Sequence, residues 1–187
     1  MPNNTLFYIT GNKHKFETAK VFLQSKGIKI SQRELEIAEI QSDSIEEVAE
    51  DKAKKAFEII KEPLFVSDSG WDIPALKGFP GPYMKYINQW FEPEDFINLL
   101  KNYQNREIIL KQALVYVDEG QTKIFTHNSR GIILSEVMGK SGVPSDRVIS
   151  LSKNGLSIAD EKDKKGFSIE GEEKLWNDFS SWLKRGN

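Results

Sequence analysis

Leu6-Phe7-Tyr8-Ile9 is a short apolar run that ends abruptly in Thr10-Gly11-Asn12. Four apolar residues stopping at a glycine turn read as a buried strand. Helical spacing follows at Phe16, Ala19 and Val21-Phe22-Leu23, closed by Gly27, and Ile28-Lys29-Ile30 reads as a second strand. Strand, turn, helix, strand is the opening of an α/β domain, and it restricts the rest of the chain to elements that can extend and cover a sheet.

The downstream pattern agrees. Ser44 stands three residues before Glu47, a capping-box spacing, and the helix it opens carries Ile45, Val48, Ala49, Ala53, Ala56, Phe57 and Ile60 on one face before Pro63. Leu64-Phe65-Val66 reads as a buried strand that ends at Ser67-Asp68-Ser69-Gly70. Residues 72–83, with Pro74, Gly78, Pro80, Gly81 and Pro82, read as a structured loop. A helix is expected from Pro93 through Leu100 and strands at 108–110, 113–117 and 122–126, with a hairpin turn at Asp118-Glu119-Gly120. Ile132-Ile133-Leu134 extends the sheet, residues 139–146 and 160–166 read as polar loops, and Leu175, Trp176, Phe179, Trp182 and Leu183 sit at the spacing of an amphipathic closing helix.

Bulk properties exclude several classes. A chain of 187 residues suits one domain, or two closely joined lobes. With 26 basic and 28 acidic residues there is no positive field for duplex nucleic acid, so no nucleic-acid partner is expected. The absence of cysteine removes disulfides and thiolate metal sites and is compatible with a cytoplasmic location. Met1-Pro2-Asn3-Asn4 does not resemble a signal peptide, and no apolar run is long enough to span a bilayer, so no membrane partner is expected either. His14 and His127 are too few and too far apart to suggest zinc.

Four segments can carry chemistry or shape a site. A glycine turn between a strand and a helix presents free amide N–H groups at the positive end of the helix dipole, so Thr10-Gly11-Asn12 can grip phosphate, with Lys15 one turn into the helix. The same pattern also fits an ordinary strand-to-helix turn with a solvated lysine. Asp68, at the carboxyl end of a strand, can hold a magnesium ion or activate water, or can simply cap a turn. Glu39 can be a second metal-facing carboxylate, or part of a solvated acidic face with Glu34, Glu36, Asp43, Glu46 and Glu47. The rigid Gly78-Phe79-Pro80-Gly81-Pro82-Tyr83 segment can wall a pocket or act only structurally.

Taken in order, Thr10-Gly11-Asn12 with Lys15, Glu39-Ile40-Gln41 with Asp43 and Ile45-Glu46-Glu47-Val48-Ala49, Asp68-Ser69-Gly70, and Ala75 through Tyr83 resemble the inosine triphosphate pyrophosphatase family. The resemblance implies a single domain over 1–187: an elongated mixed α/β sheet with flanking helices and two lobes around a central cleft, commonly a homodimer. It implies magnesium-dependent hydrolysis of a nucleoside triphosphate to the monophosphate and pyrophosphate, with deaminated purines as favoured substrates. Carried over by position, Thr10, Gly11, Asn12 and Lys15 hold the triphosphate, Ser69 and Gly70 touch substrate, Glu39 and Asp68 face the metal, and Asp68 with Lys15 forms the catalytic pair.

The chain departs from the family pattern at one first-half position and through much of its second half. Ser67 stands where the family has an acid. Val143-Pro144-Ser145-Asp146-Arg147 keeps only the aspartate of the segment that stacks on the base. Lys164 and Ser168 match the later lysine and serine, but Ile169-Glu170 replaces His-Arg, which is unfavourable beside an anion. Asp146 and Lys164 are therefore the candidates for the base end. The pattern leaves two other readings open: a nucleotide-binding protein with weakened catalysis, or a pyrophosphatase with a Maf-like preference for pyrimidine or standard nucleotides.

Overall fold

The computed structural model describes residues 6–165 and 171–186. Its elements in chain order are β1 (Leu6–Ile9), α1 (Lys13–Ser25), β2 (Ile30–Arg33), α2 (Ile45–Ile60), β3 (Leu64–Asp72), β4 (Pro80–Gly81), α3 (Met84–Trp90), α4 (Pro93–Leu99), β5 (Glu107–Val117), β6 (Thr122–Ile133), β7 (Ile149–Ser150), α5 (Ile158–Lys165) and α6 (Glu173–Lys184). The strands form a mixed sheet in the order β2-β1-β3-β5-β6-β7, with β4 paired to β3. β1 runs parallel to both β2 and β3, whereas β4 is antiparallel to β3 and β7 antiparallel to β6. The chain divides into two compact units: Met1–Asp68, Gln112–His127 and Glu173–Asn187 make the first, Ser69–Lys111 and Asn128–Glu172 the second.

Strand alternation builds the first unit. Successive side chains of a strand point to opposite faces, so a strand covered on both sides is apolar throughout. Phe7, Ile9, Leu64, Val66, Ala113, Val115 and Val117 pack with Ile45, Ala49, Ala53 and Ala56 of α2. Their neighbours Leu6, Tyr8, Phe65, Leu114 and Tyr116 pack with Ala19 and Leu23 of α1 and with Leu175, Trp176 and Phe179 of α6. Phe65 is fully buried, its ring stacked on Tyr8 at 4.4 Å, tilted against Phe179 at 5.0 Å and edge-on to Trp176 at 6.2 Å. The second unit has its own core, in which Ile73, Met84, Ile87, Phe96, Leu100 and Ile108 pack with Ile133, Val148 and Ile149.

Several boundaries differ from the sequence expectation, each for a local reason. The second strand begins at Ile30, because Ile28 still closes α1: its N–H donates to Leu23 O at 2.9 Å while Gly27, at φ 77°, donates to Gln24 O. β3 does not stop before Asp68. It continues to Asp72, held by antiparallel pairing of Trp71 with Gly81 and Asp72 with Pro80, so Asp68-Ser69-Gly70 is strand and not loop. Within 72–83 the backbone forms a 3-10 turn at Pro74–Leu76 as well as β4. The expected strands at 108–110 and 113–117 are one, and the segment at 132–133 is the end of β6. Lys111 splits the apolar pattern of β5 because it pairs with Asp72. α3 was not apparent in the sequence.

The expected polar loop at 160–166 is helix as far as Lys165. Ser157 Oγ accepts from Asp160 N at 2.9 Å, and buried Glu161 pairs with Lys165 at 2.5 Å one turn on, so a charged sequence folds by capping and i,i+4 pairing. Ser44 caps α2 as expected, accepting from Glu47 N at 3.1 Å, but the Glu47 carboxylate turns to Ser42. No helix of the described residues is long and apolar enough to cross a membrane.

Phe65→Ala removes a fully buried ring from this aromatic cluster and is expected to cost about 3–5 kcal/mol in urea unfolding. Val21→Ala, on the exposed side of α1, is expected to cost under about 0.5 kcal/mol. Equal small losses would refute this account of the core.

Candidate functional site

The turn after β1 is fixed before it does anything chemical. Thr10 N–H donates to Arg33 O at 3.0 Å, and Gln32 Nε2 donates to Thr10 O at 2.8 Å, so β2 holds both backbone groups of Thr10. Thr10 Oγ1 accepts from Asn12 N at 3.1 Å. Asn12 is the N-cap of α1; its Oδ1 accepts from Lys15 N at 3.1 Å and its carbonyl from Phe16 N at 3.0 Å. The amides of Gly11, Lys13 and His14 have no acceptor among the described residues. Three exposed donors therefore gather at the positive end of a 13-residue helix.

The charge pattern of that helix end differs from that of most described helices of this chain. α2, α4, α5 and α6 all carry acidic residues in the first turn, as the dipole favours. α1 carries none, as does the shorter α3, and α1 opens instead with Lys13-His14-Lys15. Positive side chains on positive backbone ends cost helix stability, and an anion bound there reverses the sign of that cost.

Asp68 meets this turn. Lys15 Nζ lies 3.8 Å from Asp68 Oδ1, with both side chains about one-third exposed. The residue before Asp68 is anchored in the core: the Ser67 hydroxyl and the Tyr8 phenol are hydrogen-bonded to each other. Glu39 Oε1 pairs with Lys52 Nζ at 2.5 Å, and its side chain is half exposed. Glu34 lies against the turn from the end of β2: a β-carbon added at Gly11 would be 2.6 Å from Glu34 Oε1.

The other expected residues belong to the second unit. Ser69 and Gly70 follow Asp68 along β3, and Gly70 is buried. Asp146 Oδ2 accepts from Val143 N at 3.1 Å and pairs with Lys162 Nζ at 2.6 Å, with both side chains less than one-fifth exposed. The segment from Met138 to Arg147 is strapped to α5. Ser157 Oγ donates to Met138 O, and the Asp163 carboxylate accepts from Lys140 N and Ser141 N. The Ser141 side chain and those amides hold the Asp163 carboxyl below its usual range. Lys164 is exposed on α5, and Ser168, Ile169 and Glu170 lie outside the described residues.

Tyr8, Gln32, Glu34 and Lys162 did not emerge as site residues from the sequence. Tyr8 is concealed within an apolar strand, and Glu34 within a run of acids that looks like an ordinary solvated face.

Magnesium takes oxygen ligands and is commonly held by one or two carboxylates together with substrate phosphates and water. Among the described residues no three His, Cys, Asp or Glu side chains form a ready-made metal cage. Asp68 and Glu39 are carboxylates of the chemical type such an ion takes, and an exposed pair such as Glu39–Lys52 holds its partners by only ~0–1 kcal/mol.

A mixed α/β sheet whose first strand ends in a glycine turn at a helix N-terminus defines the fold class; comparison defines the family. The Ham1 family matches residues 6–172. The dITP/XTP pyrophosphatase of Thermococcus kodakarensis is 31% identical over 96% of this chain and 97% of its own length. That of Methanopyrus kandleri is 32% identical over 96% of both chains. The solved Ham1 protein of Staphylococcus aureus has the same fold, with a TM-score of 0.79 at 21% identity over 98% of this chain and 100% of its own. This chain belongs to the Ham1 family.

Lys13→Glu puts an acid in the first turn of α1 and is expected to raise stability by about 0.3–1 kcal/mol at low ionic strength, an increment that fades with added salt. A loss of stability would show that the helix end is not electrostatically frustrated.

Proposed function

We propose that this chain is a nucleoside-triphosphate pyrophosphatase that hydrolyses non-standard purine nucleotides, of the dITP and XTP class named for its relatives, to the monophosphate and pyrophosphate. The observation that carries the proposal is the first turn of α1, with three unengaged amides, basic residues and no acid, facing the Lys15–Asp68 pair.

In this reading the amides of Gly11, Lys13 and His14 bind the phosphate oxygens, with Thr10 and Asn12 holding the loop in shape. Lys15 neutralises charge on the phosphate chain. Asp68 orients the attacking water and accepts its proton as the oxygen bonds to phosphorus and pyrophosphate leaves. Asp68 and Glu39 would hold magnesium, which supplies charge neutralisation on the phosphates when bound. Ser69 and Gly70 line the substrate path, and Asp146 and Lys164 are the residues proposed for the base end. The proposal includes the two-lobed single domain, the homodimer and the cytoplasmic location that the resemblance implies.

A pyrophosphate-release assay over a nucleotide panel tests this. Release from dITP, ITP and XTP with magnesium present is expected to exceed release from standard nucleotides by at least about tenfold, the scale of ~1.4 kcal/mol. A preference for a pyrimidine or standard deoxynucleotide would replace the substrate assignment, and no release from any triphosphate would overturn the activity.

Asp68→Asn keeps the size of the side chain and removes the proton acceptor. Its kcat is expected to fall by about 10²–10⁴, with a much smaller change in KM. Retained turnover would refute the role given to Asp68.

A further inference from the structure

Glu34 is out of place for a turn that binds phosphate. Its carboxylate has no hydrogen-bond or ion-pair partner among the described residues. The 2.6 Å separation from a β-carbon position on Gly11 puts the carboxylate oxygen within roughly 4 Å of the Gly11 α-carbon, a carbon–carbon bond being about 1.5 Å. Nor is Glu34 remote by chain geometry. It directly follows Arg33, whose carbonyl accepts from Thr10 N–H, so the same strand that shapes the turn delivers a negative charge to it.

An anion bound to Gly11 N–H then lies within one Debye length, about 10 Å at 0.1 M salt, of that charge. The carboxylate opposes any polyphosphate there, and opposes it most when the phosphate charge is bare. A cation-complexed polyphosphate carries less net charge and offers the carboxylate a positive neighbour, which weakens or reverses the repulsion. Gly11 contributes by having no side chain: a β-carbon would displace Glu34 from this position.

We propose that Glu34 is a specificity-determining residue for the charge state of the polyphosphate, disfavouring metal-free triphosphate and metal-free pyrophosphate at the Gly11 turn and admitting the magnesium-complexed forms. The inference rests on the phosphate-binding role proposed for the turn. It assigns Glu34 no bond making or breaking. Its consequences are selective loading with complexed substrate and easier departure of pyrophosphate once that product has lost its cation.

The test is calorimetric titration of inorganic pyrophosphate into the full chain and into Glu34→Gln, once with a chelator and once with excess magnesium. In the chelator, Glu34→Gln is expected to bind about tenfold tighter than the parent, the effect of removing one nearby like charge. With magnesium the gap is expected to shrink to less than about threefold, and high salt should narrow the chelator gap as well. Equal affinities in the chelator, or the same ratio in both conditions, overturn the proposal. Glu34→Ala is the second variant. It also removes the carboxylate and must shift affinity in the same direction; a shift confined to one variant overturns the charge argument. Pyrophosphate release by the parent chain separates the two readings. If the parent hydrolyses its nucleotide and the variants bind metal-free pyrophosphate no tighter, only the role of Glu34 falls. If the parent neither hydrolyses any triphosphate nor binds pyrophosphate with magnesium, both fall.

Discussion

Thr10 is held through both of its backbone groups, and the proposed chemistry depends on that. A loop free to choose its own hydrogen bonds would satisfy its amides internally, because an unmade bond is costly. Here β2 takes the Thr10 N–H through Arg33 O and the Thr10 carbonyl through Gln32, and the Thr10 hydroxyl takes Asn12 N–H. The loop is thereby fixed in a shape that leaves Gly11, Lys13 and His14 exposed and unengaged. The parallel pairing of Ile9 with Arg33 sets the register of this arrangement, so a backbone contact between two short strands determines the shape of the turn proposed to bind phosphate.

The same region departs from a rule that most of the described helices obey. Four other helices place acid in their first turn, and α1 places base there. Ser67, next to Asp68, spends its hydroxyl on the Tyr8 phenol, which ties the end of β3's buried segment to the aromatic core. Natural sequences break local rules chiefly where function requires it, and these breaks fall on one turn and the strand facing it.

Much of this was legible in the sequence because the features are local. Four apolar residues before a glycine, and the capping serine at 44, identify their elements without tertiary information. The closing helix was readable because Leu175, Trp176 and Phe179 repeat at helical spacing. What could not be read depends on partners distant in the chain. Asp68-Ser69-Gly70 has no strand propensity of its own and is strand only because the chain beyond it folds back to pair β4 with Trp71 and Asp72. Glu34 is indistinguishable from Glu36 by composition, and only folding brings its carboxylate against Gly11. The charged stretch at 160–165 looks like loop until Glu161 is seen to be buried and Ser157 to cap it.

The second unit constrains Asp146, the residue proposed for the base end, in a way that its residue types alone do not suggest. Asp146 keeps its identity but is already engaged: Val143 N–H and Lys162 use one of its oxygens, and the segment around it is fastened to α5 by Ser157 and Asp163. A poorly exposed charge pair is expensive to open, since removing one partner leaves the other uncompensated. In the proposed reading, in which Asp146 serves the base end, a base that hydrogen-bonds it must use its other oxygen or displace Lys162, which ties base preference to the geometry of this pair. Under that proposal, substitutions at Lys162 as well as at Asp146 bear on which nucleotide the chain accepts.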